Sequence, residues 1–407
     1  MIYFIVLFIL FVCIYVFDYR KSRHGSMVPY VIMCIAFILI AGLRYRIGGD
    51  SIGYELNYAD FPTLGELSSF KFSSTRYEPG FVVIASIPRT FSDDFTYFQL
   101  LHAAIVNSIV FWFIAKNTKN KFIGITLYGV GLYLNLNTEV LREALAVSCF
   151  LLAWPFFKDG KWYFYYPIML LATAFHISAA ITFLLPIFAL PGFRQAFILG
   201  WRTLFIGLFV FIVFYYLQRK FFAYILMIDS EGAMGDRAYM YSKSTYGGMN
   251  FNIFGFLEHA LKTMVIPAVA LYYRRLIVRK SDDPGEKKRF EKLEVIVVTG
   301  IYFAVVTTTI FIAARFNNYV SAFNYVLIAS CFFTTIRLRK AKLRISPPMW
   351  FMILVIVLAL DFKGYYTPTY KSATNKRYML YYPYSSRFDP QNDPNREEIL
   401  RVAAHIK

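Results

Sequence analysis

The stretch Gly42-Leu-Arg-Tyr-Arg-Ile-Gly-Gly-Asp-Ser-Ile-Gly-Tyr54 lies at the exit of the second span of mostly apolar residues, 28–43. Arginine is costly at bilayer depth, so cations at the end of a hydrophobic span usually meet lipid headgroups or a bound anion. Glycine tolerates a positive φ and lets a ligand approach the backbone closely. The stretch is therefore either a loop anchored in the headgroups or part of an anion site at the membrane surface.

The composition indicates a membrane protein. The chain has 407 residues, of which 58% are hydrophobic and 20% aromatic, and it contains many long apolar runs. Only helices and closed barrels satisfy every backbone polar group in a bilayer, and continuous rather than alternating apolar runs exclude a barrel. We therefore expect an all-α, polytopic integral membrane protein.

The formal charge of +18 does not indicate nucleic-acid binding, because the cations lie in short loops between apolar runs. This is the positive-inside pattern of membrane proteins. Cys13, Cys34, Cys149 and Cys331 all lie inside apolar runs, so we expect neither a disulfide framework nor a metal site. Residues 1–17 lack a basic leader and a small-residue cleavage site, and we interpret them as a retained first span.

Loop charges orient the spans and give about twelve membrane-embedded helices. The loop after the first span and the loop 274–292, which holds eight Lys and Arg, are expected in the cytoplasm. Residues 80–91 are expected to form an interfacial or re-entrant helix on the outer side. The other expected helices are 2–17, 28–43, 95–115, 121–136, 138–157, two short helices within 162–190, 197–217, 251–273, 293–314, 316–336 and 347–361.

The run 162–190 is expected to be a hairpin of two short, tilted helices. As a single helix it would be about 42 Å long, which is long for a bilayer. Two crossings there are also needed to leave the loop 218–250 outside and the loop 274–292 inside. The turn then falls at Phe175-His176-Ile177-Ser178 on the outer side.

We divide the chain into a transmembrane domain, 1–361, and an extracytoplasmic tail, 362–407. The tail carries nine Tyr or Phe and a short predicted helix that begins after Asp393-Pro394, with Asp as cap and Pro in the first turn. The tail and the outer loop 218–250 offer rings and hydroxyls to sugars, or they form an ordered lid.

Several charged residues converge on the outer half of the membrane in this topology, and intramembrane ionisable residues are candidates for function. They are Arg44, Arg46, Asp50, Arg142, His176 and Arg315. Each has a structural alternative. The alternatives are a turn cap for Asp50, an ion pair with Glu139 for Arg142, a place in the core for His176 and contact with the headgroups for Arg315.

Several arginines near one surface favour a multiply charged anion, because guanidinium groups bind phosphate oxygens in pairs. A histidine at the boundary can accept a proton near neutral pH. The motifs of P-loop nucleotide hydrolysis, zinc proteolysis and serine esterases are absent from the sequence. A lipid-linked phosphate or pyrophosphate, bound from outside, fits these residues better.

The ordered motifs resemble the EpsG-type family of bacterial exopolysaccharide polymerases. This family is Wzy-like and related to O-antigen polymerases and ligases of the GT-C class. The motifs cover roughly residues 40–190, and they are Gly42-Leu-Arg-Tyr-Arg-Ile-Gly-Gly-Asp50, Tyr77-Glu-Pro-Gly-Phe81, Leu141-Arg-Glu-Ala-Leu-Ala146 and Ala174-Phe-His-Ile-Ser-Ala179. The family commonly has Arg-Gln at Arg142-Glu143 and Phe-His-Pro-Ser at Phe175-His176-Ile177-Ser178.

The resemblance implies a GT-C-like glycosyltransferase in the bacterial cytoplasmic membrane, with its site facing outside. It would move a growing glycan from undecaprenyl pyrophosphate onto another lipid-linked repeat unit. A flippase and a chain-length regulator of the same pathway are possible partners, and no cofactor or metal is required because the leaving group is already activated. The expected substrate-binding residues are Arg44, Arg46, Tyr54, Arg142, Arg315 and Tyr319. His176 is the expected base, with Asp50 or Glu78 as alternatives.

Three other functions remain open from the sequence. A ligase would use the same donor with a different acceptor. A flippase or other transporter should carry its charges along a path open to both sides of the membrane, whereas here they gather at one face. A membrane acyltransferase is the third alternative.

Overall fold

The structure of the chain, a computed structural model, describes residues 2–20, 25–190, 192, 209, 212–213, 253–279, 284–307, 315–333, 336–338, 343–345, 347–369 and 372–403. The described part is mainly helical, as the apolar runs predict, and its strands form two small antiparallel hairpins. The chain divides into two compact units, of which unit 1 is Met1–Phe183, Phe332–Thr334 and Ser346–Lys407, and unit 2 is Leu184–Cys331 and Thr335–Ile345.

Unit 1 is built around four packed helices, in which α2 packs on α5, α5 on α7 and α7 on α8. Its described helices are α1 (Ile2–Cys13, continued by a π-helical Ile14–Tyr19), α2 (Met27–Gly42), α3 (Ser51–Tyr58), α4 (Pro79–Arg89), α5 (Phe95–Asn117), α6 (Lys121–Gly131), α7 (Leu141–Asp159), α8 (Trp162–Phe175), and, nearer the C-terminus, α14 (Pro347–Tyr365) and α15 (Pro394–Ala403). A hairpin of β3 (Pro368–Thr369) and β4 (Ser372–Lys376) lies between α14 and α15.

Unit 2 contains a group of packed helices and one hairpin among its described residues. They are α9 (Leu185–Phe188), α10 (Ile253–Ala260, continued by a π-helical Leu261–Val265), α11 (Ile266–Arg279), α12 (Pro284–Thr307), α13 (Phe316–Cys331), and the strands β1 (Ile336–Leu338) and β2 (Leu343–Ile345). Helices α11, α12 and α13 pack against one another.

Two helices in the described part of the chain are long and apolar enough to cross a bilayer alone. They are Ile2–Tyr19, of 18 residues, and Phe95–Asn117, of 23; Met27–Gly42 and Ile177–Phe188 are apolar but shorter. The prediction of about twelve membrane-embedded helices is therefore not confirmed. One reason is local breaks: the predicted span 121–136 becomes the 11-residue α6, followed by a π-helical turn at Asn135–Glu139. The predicted span 197–217 and the outer loop 218–250 lie outside the described residues, apart from 209 and 212–213.

The turn predicted at His176 within the run 162–190 is present in unit 1. Helix α8 ends at Phe175, His176 is extended, and a 3₁₀ helix follows over Ile177–Leu184. The hydroxyl of Tyr165 donates to the carbonyl of Thr182 at 2.8 Å, and the ring of Tyr166 stacks on Phe183. These contacts show that the chain folds back along α8 after His176.

The tail packs onto the stretch 42–54. Ile47 and Ile52 form one buried cluster with Leu380, Tyr381, Ile399 and Leu400 of the tail. Tyr45 N–H donates to the carbonyl of Ser385 at 2.9 Å, and Gly48 N–H donates to that of Leu380 at 3.1 Å. The predicted cap of α15 is also present, because Asp393 accepts a hydrogen bond from the N–H of Arg396. The tail therefore holds the stretch 42–54 in place within unit 1.

Candidate functional site

The glycine turn of the opening stretch is shaped by close packing on the loop before α7. Gly48 has φ of +99°, and a Cβ there would lie 2.5 Å from the Cβ of Thr138, so only glycine fits. Gly49 N–H donates to Oε1 of Glu139 at 2.7 Å. This turn sets the start of α3, where Asp50 is the exposed N-cap residue.

Arg142 joins three of the sequence motifs. It lies in the first turn of α7, donates to Oε2 of Glu78 at 2.7 Å, and is hydrogen-bonded to the hydroxyl of Tyr54. Its guanidinium carbon also lies 5.2 Å from the centre of the Tyr77 ring, a cation–π distance. The ion pair of Arg142 is therefore with Glu78, 64 positions away, rather than with Glu139 in the π-helical turn before α7.

Arg76 is a site residue that the sequence reasoning missed. Its guanidinium carbon lies 5.3 Å from the centre of the same Tyr77 ring, and Nη2 donates to the Tyr77 hydroxyl at 3.3 Å. The two guanidinium carbons, of Arg76 and Arg142, are thus at most about 10.5 Å apart, the sum of their two distances from the ring centre. Arg76 directly precedes the motif Tyr77-Glu-Pro-Gly-Phe81, which was a signal available in the sequence.

The packing of α4 on α8 brings the His176 turn close to this cluster. Gly80, two residues after Glu78, lies so near α8 that a Cβ there would be 2.7 Å from the carbonyl oxygen of Ala174. His176 follows two residues later and is buried. The motifs around Arg142, Glu78 and His176 therefore meet in one region of unit 1.

The hydrogen bonds of His176 indicate which ring nitrogen carries the proton. Ser178 N–H donates to Nδ1 of His176 at 3.1 Å, and the Ser178 hydroxyl lies 2.7 Å from the same nitrogen. A backbone N–H can only donate, so Nδ1 must be the acceptor and the neutral ring carries its hydrogen on Nε2. This arrangement suits a hydrogen-bond donor better than a base.

Arg44 and Arg46 belong to the packing between the opening stretch and the tail. Arg44 is buried and donates to the carbonyl of Ala41. Burial lowers the pKa of Arg44 to about 10, which leaves it charged at neutral pH. Arg46 pairs with Glu55 at 3.2 Å and with Glu397 of α15 at 3.5 Å.

Arg315 and Tyr319 lie in unit 2. Arg315 directly precedes α13, and Tyr319 is buried one turn into that helix, where its ring stacks on Phe316. The structure thus places the predicted site residues Asp50, Tyr54, Glu78, Arg142 and His176 in one unit and these two in the other.

His102 is a second residue that the sequence reasoning missed. It is buried in α5, and its Nε2 lies 2.9 Å from the carbonyl oxygen of Leu141. This bond holds the first residue of α7, next to Arg142. Its place inside an apolar run gave no signal in the sequence.

Comparison with known proteins matches one family. The model of the EpsG family matches residues 27–386, which is most of the 407-residue chain and includes the four motifs quoted above. No curated protein and no solved structure matches the chain.

Proposed function

The chain belongs to the EpsG family, and we propose that it polymerises a polysaccharide on the outer face of the bacterial cytoplasmic membrane. Membership of this family, which confirms the resemblance found in the motifs, implies a membrane protein similar to polysaccharide polymerases and acting on lipid-linked sugars. The proposed enzyme has about twelve membrane-embedded helices and a GT-C-like architecture. The proposed reaction moves a growing glycan from undecaprenyl pyrophosphate onto the sugar of another lipid-linked repeat unit. A flippase and a chain-length regulator of the same pathway are the proposed protein partners.

The observation that carries this proposal is the pair of guanidinium groups over Tyr77. Arg76 and Arg142 both lie at cation–π distance from the Tyr77 ring, and among the described ion pairs Glu78 pairs with Arg142. Two cations held together in this way favour an anion with several oxygens, and the planar fork of arginine matches phosphate oxygens in pairs. A diphosphate is such an anion.

The proposed mechanism is a substitution at the sugar's anomeric carbon. The acceptor hydroxyl oxygen forms a bond to that carbon, and the bond to the diphosphate oxygen breaks with its electron pair going to the diphosphate. Arg76 and Arg142 would stabilise the charge that develops on the leaving diphosphate. The proton of the acceptor hydroxyl would go to a carboxylate or histidine.

Asp50 is the best placed of the three proposed bases. It is exposed at the start of α3, one turn before Tyr54, which is hydrogen-bonded to Arg142. Because Asp50 is exposed beside the Arg142 cluster, we assign proton acceptance to it. Nδ1 of His176 accepts a backbone hydrogen bond, and we propose that His176 donates its Nε2 hydrogen to a substrate oxygen.

The other predicted residues have supporting roles in this proposal. Arg44 and Arg46 hold the opening stretch under the tail, and the buried charge of Arg44 adds to the positive potential of the region. Arg315 and Tyr319 remain proposed substrate-binding residues on the evidence of the sequence.

The proposal is tested by the lipid-linked glycans of a deletion strain, complemented with the wild-type chain or an empty vector. We expect the empty-vector strain to lose long chains and to accumulate single repeat units on the carrier at the outer face. Units trapped at the inner face would instead indicate a flippase. Long chains that stay on the carrier without transfer to a final acceptor would indicate a ligase.

A further inference from the structure

Unit 1 contains a cavity of about 450 Å³ between α1, α2, α6 and α14, bounded at one end by tyrosines of the tail. Helix α1 lines it with Phe4 and with Tyr3, Val6, Leu7 and Leu10, the last four of which recur at helical spacing. Their spacing of three, four and seven residues places them on one face of the helix. From Tyr3 to Leu10 the helix rises by about 10 Å, so the cavity extends along at least two helical turns.

Three polar side chains that line the middle of the cavity, Thr126, Tyr133 and Tyr365, already have hydrogen-bond partners. The hydroxyl of Tyr133 donates to the carbonyl of Phe37 at 2.6 Å, and that of Tyr365 donates to the carbonyl of Val130 at 3.3 Å. The hydroxyl of Thr126 donates to a carbonyl of its own helix. A polar ligand would lose its water here without gaining hydrogen bonds from these groups, whereas a hydrocarbon loses nothing. The lining therefore selects a hydrocarbon.

The tyrosine end of the cavity adjoins the candidate site. Tyr381, which lines the cavity, donates its hydroxyl hydrogen to Glu139 at 2.7 Å. Glu139 also holds the glycine turn through Gly49, and it precedes Arg142 by three residues. The apolar cavity therefore ends one hydrogen bond away from the segment that leads into Arg142.

We infer that this cavity holds the isoprenoid chain of the lipid-linked substrate, with its tyrosine end next to the bound diphosphate. The inference rests on the proposed function, because it takes the occupant to be the donor or acceptor carrier. A polyprenyl diphosphate is a long hydrocarbon attached directly to a diphosphate. The protein has the matching order, an apolar cavity that adjoins the region of the arginines. The rings and branched aliphatic side chains contact the hydrocarbon, and the arginines contact the diphosphate.

The test compares Val6→Trp, which fills the cavity, with Ile5→Trp, whose side chain is 48% exposed and outside the lining. Binding of undecaprenyl diphosphate to the purified full chain in detergent should weaken about tenfold or more in Val6→Trp, because a ring replaces part of the bound chain. It should stay unchanged in Ile5→Trp. Inorganic diphosphate should bind both variants like the wild type.

Two further measurements keep the outcome interpretable. A photoreactive prenyl diphosphate should crosslink to peptides of α1 and α6 in the wild-type chain, whether or not Val6→Trp folds. Wild-type affinity in a folded Val6→Trp, absence of these crosslinks, or displacement of the prenyl probe by phosphatidylglycerol would overturn the inference. If Arg142→Met binds inorganic diphosphate normally while Val6→Trp loses the prenyl probe, the cavity inference stands and the proposed diphosphate site fails.

Discussion

At the scale of single residues, Arg142 is the point where three separate motifs meet. It contacts Tyr54, Tyr77 and Glu78, and its partner Glu78 is the N-cap residue of α4. The side chains of Arg142 and Glu78 are 24% and 19% exposed, so the pair is shielded from most of the solvent and yet reachable. A phosphate can therefore reach the guanidinium while the ion pair with Glu78 stays intact.

Arg142→Lys should abolish most polymer while the protein level stays normal. Lysine can keep the charge pair with Glu78, so the fold is preserved, but a point charge cannot bind two phosphate oxygens as a fork does. Loss of one such stabilising group typically costs about 100-fold or more in rate. Polymer length and membrane protein level are measured together.

The matched control is Arg89→Lys. Arg89 is another arginine of unit 1, at the end of α4, where it pairs with Asp93. Lysine keeps the charge here too, and the pair is mostly exposed on the Asp93 side, so Arg89→Lys should leave polymer formation unchanged. If Arg142→Lys lowers the protein level as much as the polymer, Arg142 has a structural role instead.

His176→Gln and His176→Ala should separate a donor from a base. Glutamine keeps an N–H donor without a basic nitrogen, so under our assignment it should retain far more chain growth than alanine. Alanine should lower the rate of chain growth about 100-fold or more.

Asp50→Asn should lower the rate of chain growth about 100- to 10,000-fold, as removal of a general base does. Equal losses in both His176 variants, with Asp50→Asn active, would return the base role to His176. The measurement is the rate of chain growth on lipid-linked units.

The sequence predicted the break at His176 but could not predict the partners of the arginines. The break follows from counting spans. It occurs although Ile177 replaces the proline common in the family, because Nδ1 of His176 accepts a hydrogen bond from the N–H of Ser178. The pairs Arg142–Glu78 and Arg46–Glu397 join positions 64 and 351 residues apart. No local periodicity encodes such pairs, since they depend on how distant elements pack.

At the scale of elements, the glycine turn and the tail pack together in one cluster. The turn packs on the tail through the cluster of Ile47 and Ile52 with Leu400. It is also hydrogen-bonded to Glu139, just before α7. The order of these elements in space could not be read from hydropathy. Hydropathy also missed the local breaks, because the short α6 and the π-helical turn at Asn135–Glu139 interrupt what looked like one run.

Gly48→Ala should destabilise the protein more than Gly160→Ala. Both glycines have positive φ, +99° and +71°, which costs an alanine about 1–2 kcal/mol. A Cβ at Gly160 meets nothing within 4 Å, whereas one at Gly48 collides with Thr138. The total for Gly48→Ala is therefore roughly 3 kcal/mol or more. Melting temperatures in detergent should show the larger drop for Gly48→Ala. Equal drops would mean that the loop around Thr138 yields easily.

At the scale of the whole molecule, α5 relates the site to the membrane. Its 23 residues span about 34 Å, close to the thickness of a bilayer core. The residue before it, Asp94, caps the helix and pairs with Arg387 of the tail at 2.9 Å. The tail, the opening stretch and the start of α5 therefore lie at the same end of this helix, and the predicted cytoplasmic loop at Lys119 follows the other end.

Single cysteines at exposed positions should reveal this sidedness. An impermeant thiol reagent should label Ser68→Cys and Asn392→Cys in intact cells, because the loop charges place both outside. Lys119→Cys should react only after the cells are permeabilised, which also serves as the control for reactivity. Cysteines at Ser51 and Ser385, which lie in the opening stretch and the tail, would not report sidedness because both positions are buried. Labelling of Lys119→Cys in intact cells, with Ser68→Cys protected, would invert the topology and place the arginine site inside. Protection of Asn392→Cys alone would contradict the packing of the tail on the outer stretch, since Arg387 and Asp94 join the two.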